Sequence, residues 1–316
     1  MSAHGIERRD FFRWALSIGA AVEANAVFLP RLRAAVAEAA REHPVVWVQL
    51  SGCSGCSISL LNAIHPGVRE ILLEDILPDK RLVTHFHQTL MAGSGEVAMG
   101  ALIDAAEKHK GKFIAVFEGA VPTRAGGRFG TLGEELGKPV PMTEWVARLG
   151  RDAMAVVNAG TCAAYGGISA AAPNPGGCLA VPAFLKDAGI EKPVINVPGC
   201  PCHPDWLVGT VTKVLLYGIP APSELDEHLR PKLYFGKTVH NRCIYRDYMD
   251  EGVFAARFGQ TGCMLELGCK GPFAHGDCPT RQWNSGVNWC IQANNICVGC
   301  TEPGFPDEHA PLYQRR

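Results

Sequence analysis

Cysteine and histidine at short spacings carry the chemistry open to this chain. Cys53 and Cys56 form one Cys-x-x-Cys pair, Cys297 and Cys300 form another, and His240 stands three residues before Cys243. Thiolates and imidazoles so spaced bind zinc or iron–sulfur clusters; thiols alone form disulfides or a redox dithiol. There are 13 cysteines in 316 residues, more than packing needs, and an odd total leaves at least one outside any set of intramolecular disulfides.

The elements that must position the first group read as alternating strands and helices. Residues 45–50, 113–117, 154–158 and 194–197 are short apolar runs, as buried strands require. Helix-length segments separate them, near 57–64, 95–109, 143–149 and 181–187, and residues 204–217 follow the last run. This alternation predicts a mostly parallel sheet covered by helices on both faces. Three of the four runs lead directly into a cysteine loop. Ser51-Gly52-Cys53-Ser54-Gly55-Cys56 follows the first, Ala159-Gly160-Thr161-Cys162 the third, and Pro198-Gly199-Cys200-Pro201-Cys202 the fourth. Loops at the carboxyl ends of parallel strands form the binding crevice of such sheets. Cys53, Cys56, Cys162 and Cys200 would therefore converge on one rim, a set that suits a 4Fe–4S cluster. Cys202 competes with Cys200, which is preferred because it follows its strand through Pro-Gly. Glu118 follows the second run and so lies on the same rim.

From about Pro231 long apolar periodicity fades and Gly, Pro and Cys recur every few residues. A segment with so little apolar material needs metals or disulfides to hold it. Its donors form two sets: His240, Cys243, Cys263 and Cys269, then Cys278, Cys290, Cys297 and Cys300. Spacing alone leaves iron–sulfur clusters, zinc and, for the second set, disulfides open.

The charge balance, 30 basic against 31 acidic residues, gives no footprint for nucleic acid. The first residues run Glu7-Arg8-Arg9-Asp10-Phe11-Phe12, then a moderately apolar stretch broken by Glu23, then small residues around Ala37-Glu38-Ala39. This order resembles a twin-arginine signal, whose route exports proteins already folded around a cofactor. No later apolar run is long enough to span a bilayer.

At these residues the sequence resembles the small subunit of nickel–iron and nickel–iron–selenium hydrogenases. The resemblance covers nearly the whole chain. It rests on Arg8-Arg9-x-Phe11-Phe12, Cys53-Ser-Gly-Cys56-Ser57, Glu118-Gly-Ala-Val-Pro122 and Gly160-Thr161-Cys162. Pro198-Gly-Cys200-Pro, His203-Pro-Asp-Trp206 and His240-x-x-Cys243 belong to it as well. So do Glu266-Leu-Gly-Cys269, Trp283-Asn-x-Gly-x-Asn-Trp289 and Cys297-Val-Gly-Cys300.

The resemblance implies a signal peptide over 1–40 and a flavodoxin-like α/β domain over 41–225. A small loop-rich iron–sulfur domain follows over 226–316. It implies a proximal 4Fe–4S cluster on Cys53, Cys56, Cys162 and Cys200, and a distal one on His240, Cys243, Cys263 and Cys269. A medial cluster falls to Cys278, Cys297 and Cys300. Many relatives carry proline where this chain has Cys290, and their medial cluster is 3Fe–4S. A fourth thiolate here predicts 4Fe–4S, as in the selenium-containing branch. Oxygen-tolerant relatives add cysteines at positions matching Gly55 and Gly167, so an ordinary proximal cluster is expected. Cys178 and Cys202 are left over as packed thiols. Trp206, Trp283 and Trp289 read as packing around clusters. The nickel–iron centre is expected in a large-subunit partner, since no paired large-subunit motifs occur here. The chain would pass electrons between that centre and a multihaem cytochrome c, or an iron–sulfur subunit leading to a membrane quinone site. Its place would be the periplasm.

Overall fold

The structure, a computed structural model, describes residues 43–313 apart from 65, 74, 78 and 79. The signal segment expected over 1–40 lies outside the described residues. The strands in chain order are β1 (His43–Gln49), β2 (Asp75–Leu77), β3 (Lys80–His87), β4 (Ile114–Glu118) and β5 (Val121–Pro122). They continue with β6 (Thr131–Glu135), β7 (Lys138–Pro141), β8 (Ala155–Ala159), β9 (Cys178–Leu179) and β10 (Val194–Val197). The main sheet has the order β10-β8-β4-β1-β3-β2. Its pairs are parallel except that of the edge strand β2 with β3. Five parallel strands with the first between the second and third form the doubly wound flavodoxin order, whose switch point lies between β1 and β4. The flavodoxin-like expectation is thus borne out.

Both faces of the sheet are covered, which is why its strands read as continuous apolar runs. Val45, Trp47, Ile114, Val116, Val157 and Ile195 point to one side, against helices Gly55–Leu61 and Pro204–Tyr217. Val46, Val48, Ala115, Phe117 and Val156 point to the other, against helices Gly95–Lys108, Met142–Asp152 and Val181–Asp187. Successive residues of one strand therefore feed two different cores.

The sequence reading did not foresee β3 or its partner β2. β3 runs Lys-Arg-Leu-Val-Thr-His-Phe-His, a polar-interrupted pattern suited to a strand near the sheet edge. It also missed the small pairings β6–β7 and β5–β9; the second buries Cys178 opposite Pro122.

Beyond Leu225 the regular structure among the described residues is only short helical turns, such as Lys232–Phe235, Arg246–Asp250 and Cys278–Arg281. Two small cores hold them. Val239, Ala274, Trp289, Ile291 and Cys297 form one; Ala255, Met264, Leu267 and Ile296 form the other. Among the described residues no helix is long and apolar enough to cross a membrane.

Candidate functional site

The first donor set lies where the strand order predicts, at the carboxyl ends of β1, β8 and β10. The loop after β1 is tied to the end of β4 by Leu50 N–H donating to Glu118 C=O at 2.6 Å and by Ser51 paired with Ala120. Ser54 then turns the chain through a left-handed conformation into the helix bearing Cys56. The amides of Cys56 and Ser57 donate to the Glu118 carboxylate at 2.9 and 3.1 Å, so a buried anion caps the start of that helix. The same carboxylate accepts from Trp47 Nε1 at 3.0 Å and from the Ser57 hydroxyl, which also meets His87 Nε2 at 3.2 Å. Burial holds His87 down at about 4, against the opposing pull of Glu118. The sequence placed Glu118 on the rim, but it held no sign of Ser57, His87 and Trp47 as its partners. They come from β1, β3 and the capped helix, which only the sheet order brings together.

Glycine opens the space these thiols need. Gly160 has φ 86°, and a Cβ there would run into the Cys56 sulfur; at Gly167 (φ 49°) it would lie 3.1 Å from the Cys162 sulfur. A Cβ at Gly55 would lie 3.1 Å from the Cys53 sulfur. Cys200 belongs to the same group. Burial pushes its thiol up to about 12, and the neighbouring Cys162, Cys53 and Cys56 add to the rise. Cys202 instead turns into the sheet core, fully buried, with its carbonyl accepting from Ser59 Oγ at 2.6 Å. Its thiol bonds to Cys56 and raises that group well above an ordinary cysteine, with burial adding.

The second set, His240, Cys243, Cys263 and Cys269, lines a single cavity with Met264, Pro272 and Trp289. Burial pushes Cys243 up to about 11; the Tyr245 amide opposes, and Cys269 and Cys263 add. The third set also comes together. Burial lifts Cys278 well above its ordinary range, Cys300 and Cys290 add, and a bond from Trp283 opposes. Burial likewise lifts Cys300 to about 12; a backbone bond at Cys200 opposes, and the Cys290 and Cys200 thiols add. Cys290 is exposed, and its charge reaches both Cys278 and Cys300.

These influences also run between sets. Cys300 feels Cys200 of the first set, and Cys269 of the second feels Cys290 of the third. Backbone bonds trace the same order. The Thr161 hydroxyl accepts from Gly199 N–H at 2.9 Å and donates to Cys300 C=O, and Lys270 N–H donates to Cys297 C=O at 2.7 Å. The three sets form a row, with Cys278, Cys290, Cys297 and Cys300 in the middle.

The donor chemistry fits iron–sulfur clusters. All thirteen cysteines are free thiols, so none of the disulfides that spacing allows is formed. Among the described residues no three or more His, Cys, Asp or Glu side chains close around one metal ion. These thiols bind metal only once deprotonated, and a bound cation would bring their raised values down.

A doubly wound sheet with cysteine loops on its rim, continued by a cysteine-rich segment with two more donor sets, defines an electron-transfer subunit of a redox enzyme. Residues 235–313 match the family described as the C-terminal part of the NiFe/NiFeSe hydrogenase small subunit. Residues 53–214 match the family described as NADH ubiquinone oxidoreductase, 20 Kd subunit. The chain is 43% identical to the periplasmic [NiFeSe] hydrogenase small subunit of Desulfomicrobium baculatum, over 98% of both chains. It is 36% identical to the periplasmic [NiFe] hydrogenase small subunit of Solidesulfovibrio fructosivorans, over 99% of this chain and 94% of that one. The reduced, active Ni-Fe-Se hydrogenase of Desulfomicrobium baculatum superposes with a TM-score of 0.82 at 45% identity, over 87% of this chain and 100% of that one. The chain belongs to the NiFe/NiFeSe hydrogenase small-subunit family. Membership implies iron–sulfur clusters here and the nickel–iron centre in a large-subunit partner.

Proposed function

We propose that this chain holds three 4Fe–4S clusters and relays electrons between the large subunit's hydrogen-activating centre and an external acceptor. The ligands are Cys53, Cys56, Cys162 and Cys200 for the proximal cluster, and Cys278, Cys290, Cys297 and Cys300 for the medial. His240, Cys243, Cys263 and Cys269 hold the distal one. The observation that carries this reading is the row itself, in which each donor set lies beside the next. When bound, such clusters supply one-electron carriers whose potentials follow cluster type, ligands, hydrogen bonds and exposure.

The chain's own residues do the rest. Glu118 fixes the loop of Cys53 and Cys56 through two amides, and Thr161 holds the first and third sets at one spacing. His240 gives its set one neutral ligand, which suits an exit-side centre. Cys290 as a fourth thiolate makes the middle centre 4Fe–4S. The twin-arginine resemblance at 1–40 and the periplasmic relatives support export in the folded state. A periplasmic multihaem cytochrome c, or an iron–sulfur subunit leading to a quinone site, then serves as acceptor. We place the domain boundary at 225/226.

The test is iron and acid-labile sulfide per chain in the anaerobically purified complex, with electron paramagnetic resonance (EPR) of oxidised and reduced samples. About twelve irons in this chain and no 3Fe signal on mild oxidation are expected. About eleven irons with an oxidised 3Fe signal would remove Cys290 from the middle site. An iron-free, folded complex would overturn the reading.

A further inference from the structure

Tryptophan offers one buried N–H donor and no acceptor, so each buried indole must find a partner or bear a desolvation cost. Trp47 donates to Glu118 at 3.0 Å, Trp145 to the Leu132 carbonyl at 2.9 Å, and Trp206 to Asp277 at 2.6 Å. Trp283 bonds the Cys278 sulfur. Trp289 breaks the pattern. It is 2% exposed, and among the described residues its Nε1 has no hydrogen-bond partner. Its ring lines the cavity bounded by His240, Cys243, Cys263 and Cys269 and packs in the same small core as Val239 and Ile291. Met264, Leu265 and Pro272 of that lining offer the indole no strong side-chain acceptor, and Tyr245, whose phenol oxygen can accept, makes no bond to it.

We propose that Trp289 is a tuning residue for the centre held by His240, Cys243, Cys263 and Cys269, donating its indole N–H to a sulfur of that centre. The donor is fixed in place by packing, so it acts equally on every turnover. A hydrogen bond to cluster or thiolate sulfur stabilises the more negative, reduced state and raises the reduction potential. The neutral imidazole of His240 acts in the same direction. Two separate devices, one in the ligand set and one beside it, thus act in the same direction on the potential of this centre.

The inference rests on the cluster reading above, and one experiment separates the two. Wild-type and Trp289→Phe complexes are compared by EPR-monitored redox titration, after checking that both hold the same iron and sulfide. Phenylalanine fills most of the indole volume and removes the donor. The expected result is a shift to lower potential of the histidine-ligated centre, with the other two unchanged. An unchanged potential, or a shift confined to the centre of Cys278, would overturn the proposal. Absence of any cluster signal in the wild type would instead sink the cluster reading. Electron–nuclear double resonance on wild-type complex containing indole-15N tryptophan needs no variant. A 15N coupling on the signal of the histidine-ligated centre supports the bond, and its absence overturns it.

Discussion

The sheet region and the segment after Leu225 present the same kind of ligand on different foundations. In the first, Cys53, Cys56, Cys162 and Cys200 sit on the loops and first helical turns leaving strands whose residues Val46, Val48, Phe117 and Val157 are wholly buried in two extended cores. In the second, the ligands are part of the core: Cys297 is a member of one small cluster, and Cys243, Cys269 and Cys278 pack against it. Of this region's ligands only Cys56 enters a core, so most of the apolar burial stands apart from the metal site and the sheet is expected to survive without it. The cysteine-rich segment cannot make that separation, so metal binding there is a large part of folding.

Removing the metal should break this comparison open and gives the largest effect expected. After anaerobic extraction of iron and sulfide, hydrogen exchange followed by mass spectrometry should show β1, β4 and β8 still protected. Segments 239–300 should exchange close to the rate of an unfolded chain. Equal protection of both regions, or equal loss, would show that the small cores suffice or that the sheet also depends on metal.

A buried ion-pair network inside the segment after Leu225 comes next. Arg230 is 2% exposed, bonded through Nε to Asp226 at 2.7 Å and through its guanidinium to Glu302 at 2.9 Å and Thr301 C=O at 3.2 Å. Arg230→Met keeps length and loses charge, leaving two carboxylates without their partner. A loss of about 3–5 kcal/mol is expected, the range for breaking a buried pair from one side. Anaerobic urea unfolding of the complex measures it, and a change below about 1 kcal/mol would class the pair with ordinary surface bridges.

Acid should weaken the sheet side through His87. In the unfolded chain this group takes up a proton near its ordinary value of 6.5; in the fold it stays neutral down to about 4. Between those values the unfolded state binds more protons. The stability from keeping His87 neutral is therefore intact above about pH 6.5 and is lost as pH falls toward 4, by about 3 kcal/mol. His87→Asn should flatten stability against pH over that window, and an unflattened profile would assign the acid sensitivity elsewhere.

How much of this was legible follows from the same contrast. β1, β4, β8 and β10 could be read from the chain because both faces of each are buried, and their cysteine loops follow directly. β3 could not: it begins Lys80-Arg81 and carries His85 and His87, one of which serves the Glu118 network rather than an apolar core. The donor residues after Pro231 could be grouped by spacing, but not their row. That order depends on contacts such as Cys300 with Cys200, which lie far apart along the chain and leave no local pattern. Trp289 read as packing, and nothing in its neighbours along the chain shows that its N–H lacks an acceptor. An unsatisfied donor is visible only once every other group near it has been placed.

Thr161 gives the smallest and most specific effect. It is 1% exposed, and its hydroxyl is the single group that both accepts from Gly199 N–H and donates to Cys300 C=O. Thr161→Val conserves shape and strands one donor and one acceptor between the first and third ligand sets, at a cost of roughly 1–2 kcal/mol. Thr161→Ser keeps the hydroxyl and should restore most of that loss, which separates the bond from the packing of the methyl group. If the junction sets the spacing of the two regions, exchange should rise in the valine variant at the amides near 199–200 and 300 together, and not in β1. A rise on one side only would mean that each loop is held by its own region, and that the regions are adjacent rather than joined at this point.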